Sequence, residues 1–204
     1  MCNDYELDID LSGLLLQLKQ VEGLPPLCWV SKLPGHPGPI PHVRIADRGL
    51  VIRLGKDCLR AGWLPWAWEE RDERVFNVRS ERRVFATSER CLIPATGCYE
   101  YTKPAEPQGK LPDQHIVRLK DHDWFWMPGI VKRGAFALVT TYAGPDVRPL
   151  NRRQACVLAP SEGMAWLGLS RPAASLFKPS AAGTLEITTL RKDCFLRRDA
   201  QSAA

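Results

Sequence analysis

Hydrophobic residues near the start of the chain recur with the period of an α-helix. Leu14, Leu18 and Val21 are spaced by four and three residues, so they share one helical face. Ser12 precedes them as a candidate N-cap, and Gly23 with the two prolines that follow it ends the pattern. We therefore predict one amphipathic helix between Ser12 and Gly23.

The remainder of the chain has mainly the alternating, β-branched and aromatic pattern of strands. Residues 25–41 contain six prolines and predict a long irregular segment laid over the surface. Polar turns such as residues 120–123 and 132–134 separate the runs that follow. The predicted strands are residues 44–46, 50–54, 58–64, 90–95, 98–102, 115–120, 124–131, 135–142, 154–158 and 183–190, and two short helices are predicted at 161–169 and 171–177.

These elements predict an α+β fold in a single domain. The sheet is expected to be curled, largely antiparallel and barrel-like, with a few flanking helices. A chain of 204 residues with 45% hydrophobic and 25% charged residues can bury one sizeable core. We expect the domain to span residues 1–192 and residues 193–204 to form a basic, flexible tail.

The cysteine pattern and the absence of long apolar runs restrict the cellular setting. Seven cysteines occur without a C-x-x-C pair, which predicts neither a disulfide framework nor a zinc site and fits a reducing cytoplasm. No run approaches the ~18 apolar residues of a membrane span, and an acidic start is unlike a signal peptide. We expect a soluble cytoplasmic protein with no metal and no cofactor.

The charge is mildly basic and carried mostly by clustered arginines. The net charge is +5, and arginines group at positions 79, 82 and 83, at positions 148, 152 and 153, and near the C-terminus. The planar guanidinium suits phosphate oxygens, which makes a nucleic-acid backbone a candidate partner. Scattered, solvated arginines are the alternative interpretation.

Cys2 is the most chemically suggestive residue of the chain. If Met1 is removed, Cys2 carries a free α-amine and a thiol on the same residue. An aldehyde would form a Schiff base with the amine, and the thiolate would then close a five-membered thiazolidine ring. Position alone favours the simpler interpretation of a chance cysteine at a frayed terminus.

Four segments together change that balance. They are Met1-Cys2-Asn3, the tryptophan-rich residues 62–68, Phe76-Asn77-Val78-Arg79-Ser80-Glu81, and residues 90–101, which read RCLIPATGCYEY. Their order and spacing resemble the SOS-response-associated peptidase (SRAP) family of abasic-site processing proteins. The resemblance extends from residue 1 to about residue 192 and is densest between residues 62 and 101.

The resemblance implies a protein that removes Met1 by its own activity and bonds Cys2 to the aldehyde of an abasic site in single-stranded DNA. It implies a lyase-like and peptidase activity within the SOS response, and we expect a monomer that associates with the nucleoid when bound to DNA. The catalytic glutamate of the family corresponds to Glu100 and its active-site asparagine to Asn77. Its phosphate-holding arginines correspond to Arg79 and Arg153.

The residue chemistry agrees with these roles, although simpler interpretations exist. Glu100, flanked by Tyr99 and Tyr101, would be partly buried with a raised pKa, as an acid-base group requires. On a strand, Asn77 and Arg79 share a face and would point into one cleft. A solvated glutamate, a turn asparagine and a structural ion pair of the arginine are the respective alternatives.

Three tryptophans precede this motif. We expect Trp66 and Trp68 on a DNA-facing edge, where aromatic rings stack on unpaired bases, and Trp63 in the core. The alternative is that these rings simply pack in the interior. Trp29, Trp124, Trp126 and Trp166 are expected to be packing residues.

The chain departs from the family pattern at Asn151, where a histidine is expected, and at Arg152, where an acid is expected. Asparagine can hydrogen-bond but cannot shuttle a proton near pH 7. The histidines, at positions 36, 42, 115 and 122, are no obvious substitutes. We expect Asn151 to impair release of the captured DNA. A non-catalytic paralogue that binds single-stranded or damaged DNA is the alternative, and a protease acting on other proteins is less supported.

Overall fold

The computed structural model describes residues 3–30 and 38–195. The predicted nucleophile Cys2 therefore lies outside the described residues. Within these ranges the strands are Asp4–Leu7 (β1), Leu27–Trp29 (β2), Ile40–Arg44 (β3), Arg48–Leu54 (β4), Leu59–Pro65 (β5), Trp68–Glu70 (β6), Glu73–Val75 (β7), Asn77–Arg79 (β8), Glu89–Ala95 (β9), Gly97–Thr102 (β10), Asp113–Leu119 (β11), Phe125–Lys132 (β12), Ala135–Tyr142 (β13), Arg153–Ala155 (β14) and Leu185–Arg191 (β15). The α-helices are Leu11–Gln20 (α1), Gly163–Leu167 (α2) and Ala173–Leu176 (α3), with a 3₁₀ turn at Pro160–Glu162.

The strands form two main sheets and one short ribbon. The small sheet has the order β15-β11-β10-β1-β3. The large sheet has the order β14-β13-β12-β9-β4-β5-β2, with β8 paired to β13, and β6 pairs with β7 alone. All pairs are antiparallel except β8 with β13 and β2 with β5. The predicted α+β class and largely antiparallel pairing are confirmed, whereas "barrel-like" fits only loosely because none of these sheets closes on itself within residues 3–30 and 38–195.

Alternation along the strands divides the interior into two hydrophobic cores on opposite faces of the large sheet. Val51 and Ile93 belong to the core that also contains Tyr5 and Val117 of the small sheet. Their sequence neighbours Ile52 and Leu92 belong to the core that contains residues of α1 and α2. Because both faces are covered, the central strands are buried at nearly every position. The layers are thus small sheet, large sheet and helices.

Helix α1 confirms the predicted amphipathic helix but begins earlier. Asp10, not Ser12, is the N-cap, and its side chain accepts a hydrogen bond from the Gly13 N–H at 2.6 Å. Leu11, Leu14 and Leu18 are buried against the large sheet. The two later helices are shorter than predicted, because α2 and α3 cover only a few residues each.

Cys28 and Cys58 form a disulfide, with their Cα atoms 6.0 Å apart. The cysteine pattern, which predicted no disulfide framework, did not reveal this single pair. The pairing depends on β2 lying parallel to β5, which brings together residues that are thirty positions apart and is not visible in cysteine spacing. Cys91, Cys98 and Cys156 are free and buried.

Two further features bear on the sequence predictions. No helix among residues 3–30 and 38–195 is long and apolar enough to cross a membrane. The start of the predicted tail contacts the domain, since Lys110 Nζ donates to Asp193 at 3.1 Å and lies 5.5 Å from the ring of Phe195. Residues 196–204 lie outside the described part of the chain, so their flexibility stays a prediction.

Candidate functional site

The inner face of strand β10 carries Glu100 between the two main sheets. Cys98, two residues earlier on the same face, belongs to the core between the sheets, so Glu100 projects toward the large sheet. Its side chain is only 2% exposed. Burial raises the pKa of the Glu100 carboxyl above the ordinary value, although hydrogen bonding opposes part of this effect. A carboxyl with a raised pKa keeps its proton to a higher pH than an exposed one, which suits an acid-base group.

Asn151 reaches Glu100 from the other sheet. It lies in the turn between β13 and β14, which is closed by hydrogen bonds from its own N–H and that of Leu150 to the Val147 carbonyl. Asn151 Nδ2 donates to Glu100 Oε2 at 2.9 Å, and its Oδ1 accepts from the Arg153 N–H at 3.4 Å. The amide is therefore fixed with its donor toward the carboxylate. The contact joins two residues that are 51 positions apart.

Tyr99 and Tyr101 do not surround Glu100, contrary to the environment that the sequence suggested. They alternate with it and point to the outer face of the small sheet. There, Tyr99 donates to Glu6 at 2.8 Å and Tyr101 donates to Asp4 at 2.9 Å. Burial, together with the bond to Asp4, raises the pKa of Tyr101 to about 12. The burial of Glu100 thus comes from the opposing sheet.

His115 is the cross-strand partner of Glu100 on β11, so both side chains lie on the same face. Its Nε2 and Nδ1 are 2.9 Å and 3.0 Å from the hydroxyl oxygens of Thr102 and Thr189. Burial lowers the pKa of His115, which favours the neutral ring. The sequence did not indicate that His115 neighbours Glu100, because the two residues are on different strands. Both ring nitrogens of His115 lie within hydrogen-bond distance of threonine hydroxyls.

Strand β8 carries Asn77 and Arg79, which share one face of the large sheet as predicted. In the parallel register with β13, Asn77 is paired with Leu138 and Arg79 with Thr140. Leu138 belongs to the core between the sheets, so Asn77 and Arg79 continue that face outward to solvent. Asn77 is partly buried and Arg79 is exposed. The inner face therefore becomes polar at this rim.

An open cleft of about 630 Å³ lies at the rim. Its lining residues are Arg79, Glu81, Arg82, Tyr142, Arg152 and Arg153. Two of its arginines closely follow the partly buried asparagines in the sequence. Arg79 lies two residues after Asn77, and Arg153 lies two residues after Asn151. Four cationic side chains against one carboxylate make this a surface that favours anions.

Arg153 is the least exposed arginine of the cleft and is held by an acid. Its guanidinium donates to both carboxylate oxygens of Glu81 at 3.0 Å and 3.2 Å, and to the Thr140 carbonyl at 3.0 Å. Burial, the largest single influence, acts to raise the pKa of Glu81, but the hydrogen bonds from Arg153 and from backbone N–H groups, together with the Arg153 charge, outweigh it, so the pKa is lowered. The predicted phosphate-holding arginine thus already has an anionic partner.

Trp66 and Trp68 are buried, so the prediction that they form a DNA-facing edge is wrong. Trp66 is 0% exposed, donates from Nε1 to the Phe76 carbonyl at 2.8 Å, and stacks on the ring of Phe136. Trp68 is 6% exposed and packs in the core beneath the helices. Both rings pack in the hydrophobic interior and are therefore not available to stack on bases. Trp63 is partly buried against the same core.

The exposed aromatic residue of the cleft is Tyr142, which sequence reasoning missed. It ends β13 after a run of seven buried residues and is 61% exposed. Arg82 was noted only as a member of an arginine group, and Arg152 only as a member of such a group and as a departure from the family pattern. The available signal was an aromatic residue at the end of a buried strand, ten residues before two adjacent arginines.

Among residues 3–30 and 38–195, no group of three or more histidine, cysteine or acidic side chains is arranged to hold a metal ion.

Comparison with known proteins supports the observed fold. A sequence profile of the family described as SOS response associated peptidase (SRAP) matches residues 44–194. A crystal structure of a protein from Bacteroides thetaiotaomicron is 18% identical, with 94% of this chain and 93% of that chain covered and a TM-score of 0.64. A protein from Bordetella bronchiseptica is 18% identical, with coverages of 93% and 100% and a TM-score of 0.66. A phage-related protein from the same organism is 17% identical, with coverages of 94% and 95% and a TM-score of 0.65. No curated protein sequence gives a significant match.

Proposed function

Because this chain belongs to the SOS response associated peptidase (SRAP) family, we propose that it captures abasic sites in single-stranded DNA through a covalent bond to Cys2. Family membership itself implies a function associated with DNA damage. The finer proposal is that Met1 is first removed by the protein's own hydrolytic activity. The mature protein then acts as a monomer on single-stranded DNA in the cytoplasm.

The proposed reaction balances with the loss of one water. The α-amine of Cys2 adds to the aldehyde carbon of the opened abasic sugar, and the resulting carbinolamine loses water to give an imine. The Cys2 sulphur then bonds to the imine carbon, and the thiol proton ends on the ring nitrogen. The product is a thiazolidine that links protein and DNA.

Glu100 is the acid-base group of the proposed reaction. A proton must leave the attacking amine and another must reach the departing hydroxyl, and one carboxyl with a raised pKa can serve both transfers. The Asn151 amide lies beside this carboxyl, and Asn77 on the inner face of the large sheet would supply a second amide; amides donate and accept and so suit the sugar hydroxyls. Arg79 would hold an adjacent phosphate.

The register of β1 against β10 is the observation that carries the proposal. Tyr5 is paired with Cys98 and Glu6 with Gly97 in an antiparallel ladder. Continuing this register by two residues brings Asn3 opposite Glu100, and Cys2 is the next residue in the sequence. The start of the chain thus runs toward the buried carboxyl, which supports a reaction between a terminal residue and an aldehyde at Glu100.

The presence of an asparagine at position 151 supports the proposal that captured DNA is released slowly. Opening the thiazolidine requires a proton on the ring nitrogen and a base for the attacking water. The Asn151 amide donates to Glu100 but has no titratable proton near neutral pH. We therefore propose a long-lived crosslink.

A second candidate function is that of a non-catalytic module that binds single-stranded DNA. The arginine-lined cleft favours it, because such a surface binds phosphates without covalent chemistry. The terminal aminothiol has no use in that function.

Intact-mass spectrometry tests the proposal. We expect the purified protein to lack the mass of Met1 and to gain the full mass of an abasic oligonucleotide, less one water. The Cys2→Ser variant should give no adduct that survives denaturation, whereas an oligonucleotide without an abasic site should give none with either protein. A mature protein that forms no adduct would favour the binding module, and a stable adduct of Cys2→Ser would contradict the thiazolidine.

A further inference from the structure

Tyr142 is a large aromatic residue exposed within the arginine-lined cleft. Its ring is 61% exposed, although the seven preceding residues of β13 are all buried. The guanidinium carbon of Arg153 lies 5.3 Å from the ring centroid, which is a cation–π distance. Because most of the ring is exposed, it contributes little hydrophobic packing energy. Stability of the fold alone therefore does not require an aromatic residue at this position.

The ring is held by a connected set of contacts. Tyr142 and Arg153 are direct partners in the antiparallel register of β13 and β14, so their side chains share a face. Arg153 is fixed by both oxygens of Glu81, and Glu81 Oε1 also accepts from the Tyr142 N–H at 3.0 Å. The three residues therefore form one unit. A ring that is already oriented loses little entropy when it binds a flat partner.

The arginine side chains around the ring differ in whether they are paired with an acid. The Arg153 side chain is paired with Glu81, whereas the side chains of Arg79, Arg82 and Arg152 are exposed and form no hydrogen bond or ion pair within the described ranges. Unpaired arginines suit phosphate oxygens because the guanidinium can donate two parallel hydrogen bonds. An aromatic ring among unpaired cations is the arrangement that binds single-stranded nucleic acid.

We propose that this cleft is a nucleotide subsite in which Tyr142 stacks on an unpaired base while Arg79, Arg82 and Arg152 bind the flanking phosphates. In this arrangement Arg153 is a positioning residue behind the ring. The inference rests on the proposed function and names a second place on the protein where the same DNA strand binds. Arg152 gains a role, because it adds a cation to the cleft.

The position of the subsite suits the nucleotide next to the captured sugar. Arg79 follows Asn77 by two residues on β8, which is about 6 to 7 Å along a strand, and Arg153 follows Asn151 by two residues at the end of a turn. The subsite therefore lies at the rim of the large sheet, just beyond Asn77 and the Asn151 amide that donates to the buried carboxyl of the small sheet. Stacking is indifferent to base identity, so we expect little sequence preference.

Equilibrium binding of an intact oligothymidylate with one 2-aminopurine tests the subsite. Tyr142→Ala should weaken binding roughly 5- to 100-fold and abolish the fluorescence quenching that stacking causes, while Tyr142→Phe should preserve both. Arg152→Ala should lower the slope of log affinity against log salt by about 0.7. Phe195→Ala is the matched control, since Phe195 is also an exposed ring beside a cation, Lys110, but lies outside the cleft.

Crosslinking to an abasic oligonucleotide, measured in parallel, separates this inference from the proposed function. At saturating DNA, the natural protein and Phe195→Ala should both form the adduct. If the adduct forms but Tyr142→Ala binds and quenches like the natural protein, the subsite is wrong and the capture stands. If no adduct forms with the natural protein but quenching depends on Tyr142, the capture is wrong and the subsite stands.

Discussion

Asn151 donates a hydrogen bond of 2.9 Å to Glu100, and this contact joins the small sheet to the turn between β13 and β14. One partner has a raised pKa and the other cannot titrate near neutral pH. The pair therefore provides one proton-transfer group where two would be needed for separate capture and release steps.

Replacing Asn151 by histidine should accelerate release of captured DNA. An imidazole at this position can transfer a proton near neutral pH, an effect commonly worth about 10²- to 10⁴-fold in rate. The measurement is the release of labelled oligonucleotide from purified crosslink over time. Asn151→Gln is the control, because it keeps the amide without a titratable group. Equal release rates for Asn151→His and the natural protein would refute the proposed effect of this residue.

Replacing Glu100 by glutamine should raise stability in a pH-dependent way. Burial raises the folded-state pKa of Glu100, so its favourable contribution is complete below the unfolded pKa and is lost as pH rises through the folded value. Glutamine stays neutral and can still accept from Asn151. In urea unfolding, the variant should match the natural protein near pH 4 and exceed it at pH 8. A difference that does not change with pH contradicts the raised pKa.

Replacing Trp66 by alanine should destabilise the fold by about 3 to 5 kcal/mol, because a fully buried ring is removed from the core between the sheets. Trp66→Phe keeps most of the packing and loses the bond to the Phe76 carbonyl, so a smaller loss is expected. Chemical denaturation measures both. Since the ring is inaccessible, Trp66→Phe should leave the affinity for single-stranded DNA unchanged, and a clear loss of affinity at full folding would show that the ring contacts DNA.

Replacing Gly144 by alanine should destabilise the turn that holds Asn151. A Cβ at this position would clash with the backbone of Ser180, which cannot move like a side chain. Gly144 also donates to the Gln154 side chain at 2.7 Å and accepts from the Arg148 N–H. We expect a loss of about 1 to 3 kcal/mol. Gly168→Ala, at a φ of −82° where an added Cβ would meet only the Met164 carbonyl at 3.3 Å, separates the effect of the clash from that of adding a methyl group. Equal losses for both variants would contradict it.

The sequence predicted the strands best where both faces are buried. Residues 135–142 have the predicted bounds because β13 combines β-branched residues with flanking turns. Strand β1 was missed because Asp4 and Glu6 interrupt the hydrophobic pattern, and both acids are satisfied on the outer face, by Tyr101 and by Arg118. Polar residues paired across strands therefore look like loop residues in a single sequence.

The candidate site could be predicted only in part. The shared face of Asn77 and Arg79 follows from strand alternation alone. Which tryptophans are buried depends on how the sheets pack, so residues 66 and 68 were misplaced on the surface. The pairing of Glu81 with Arg153 joins residues that are 72 positions apart, and no local pattern indicates it.

The helices pack on the face of the large sheet that is turned away from the arginine-lined cleft. Substitutions that improve packing around Leu14 or Leu176 therefore change a surface that meets neither Glu100 nor Tyr142. The helical layer is accordingly the place to engineer a more heat-resistant variant, because substitutions there are on the side of the large sheet opposite to the candidate site.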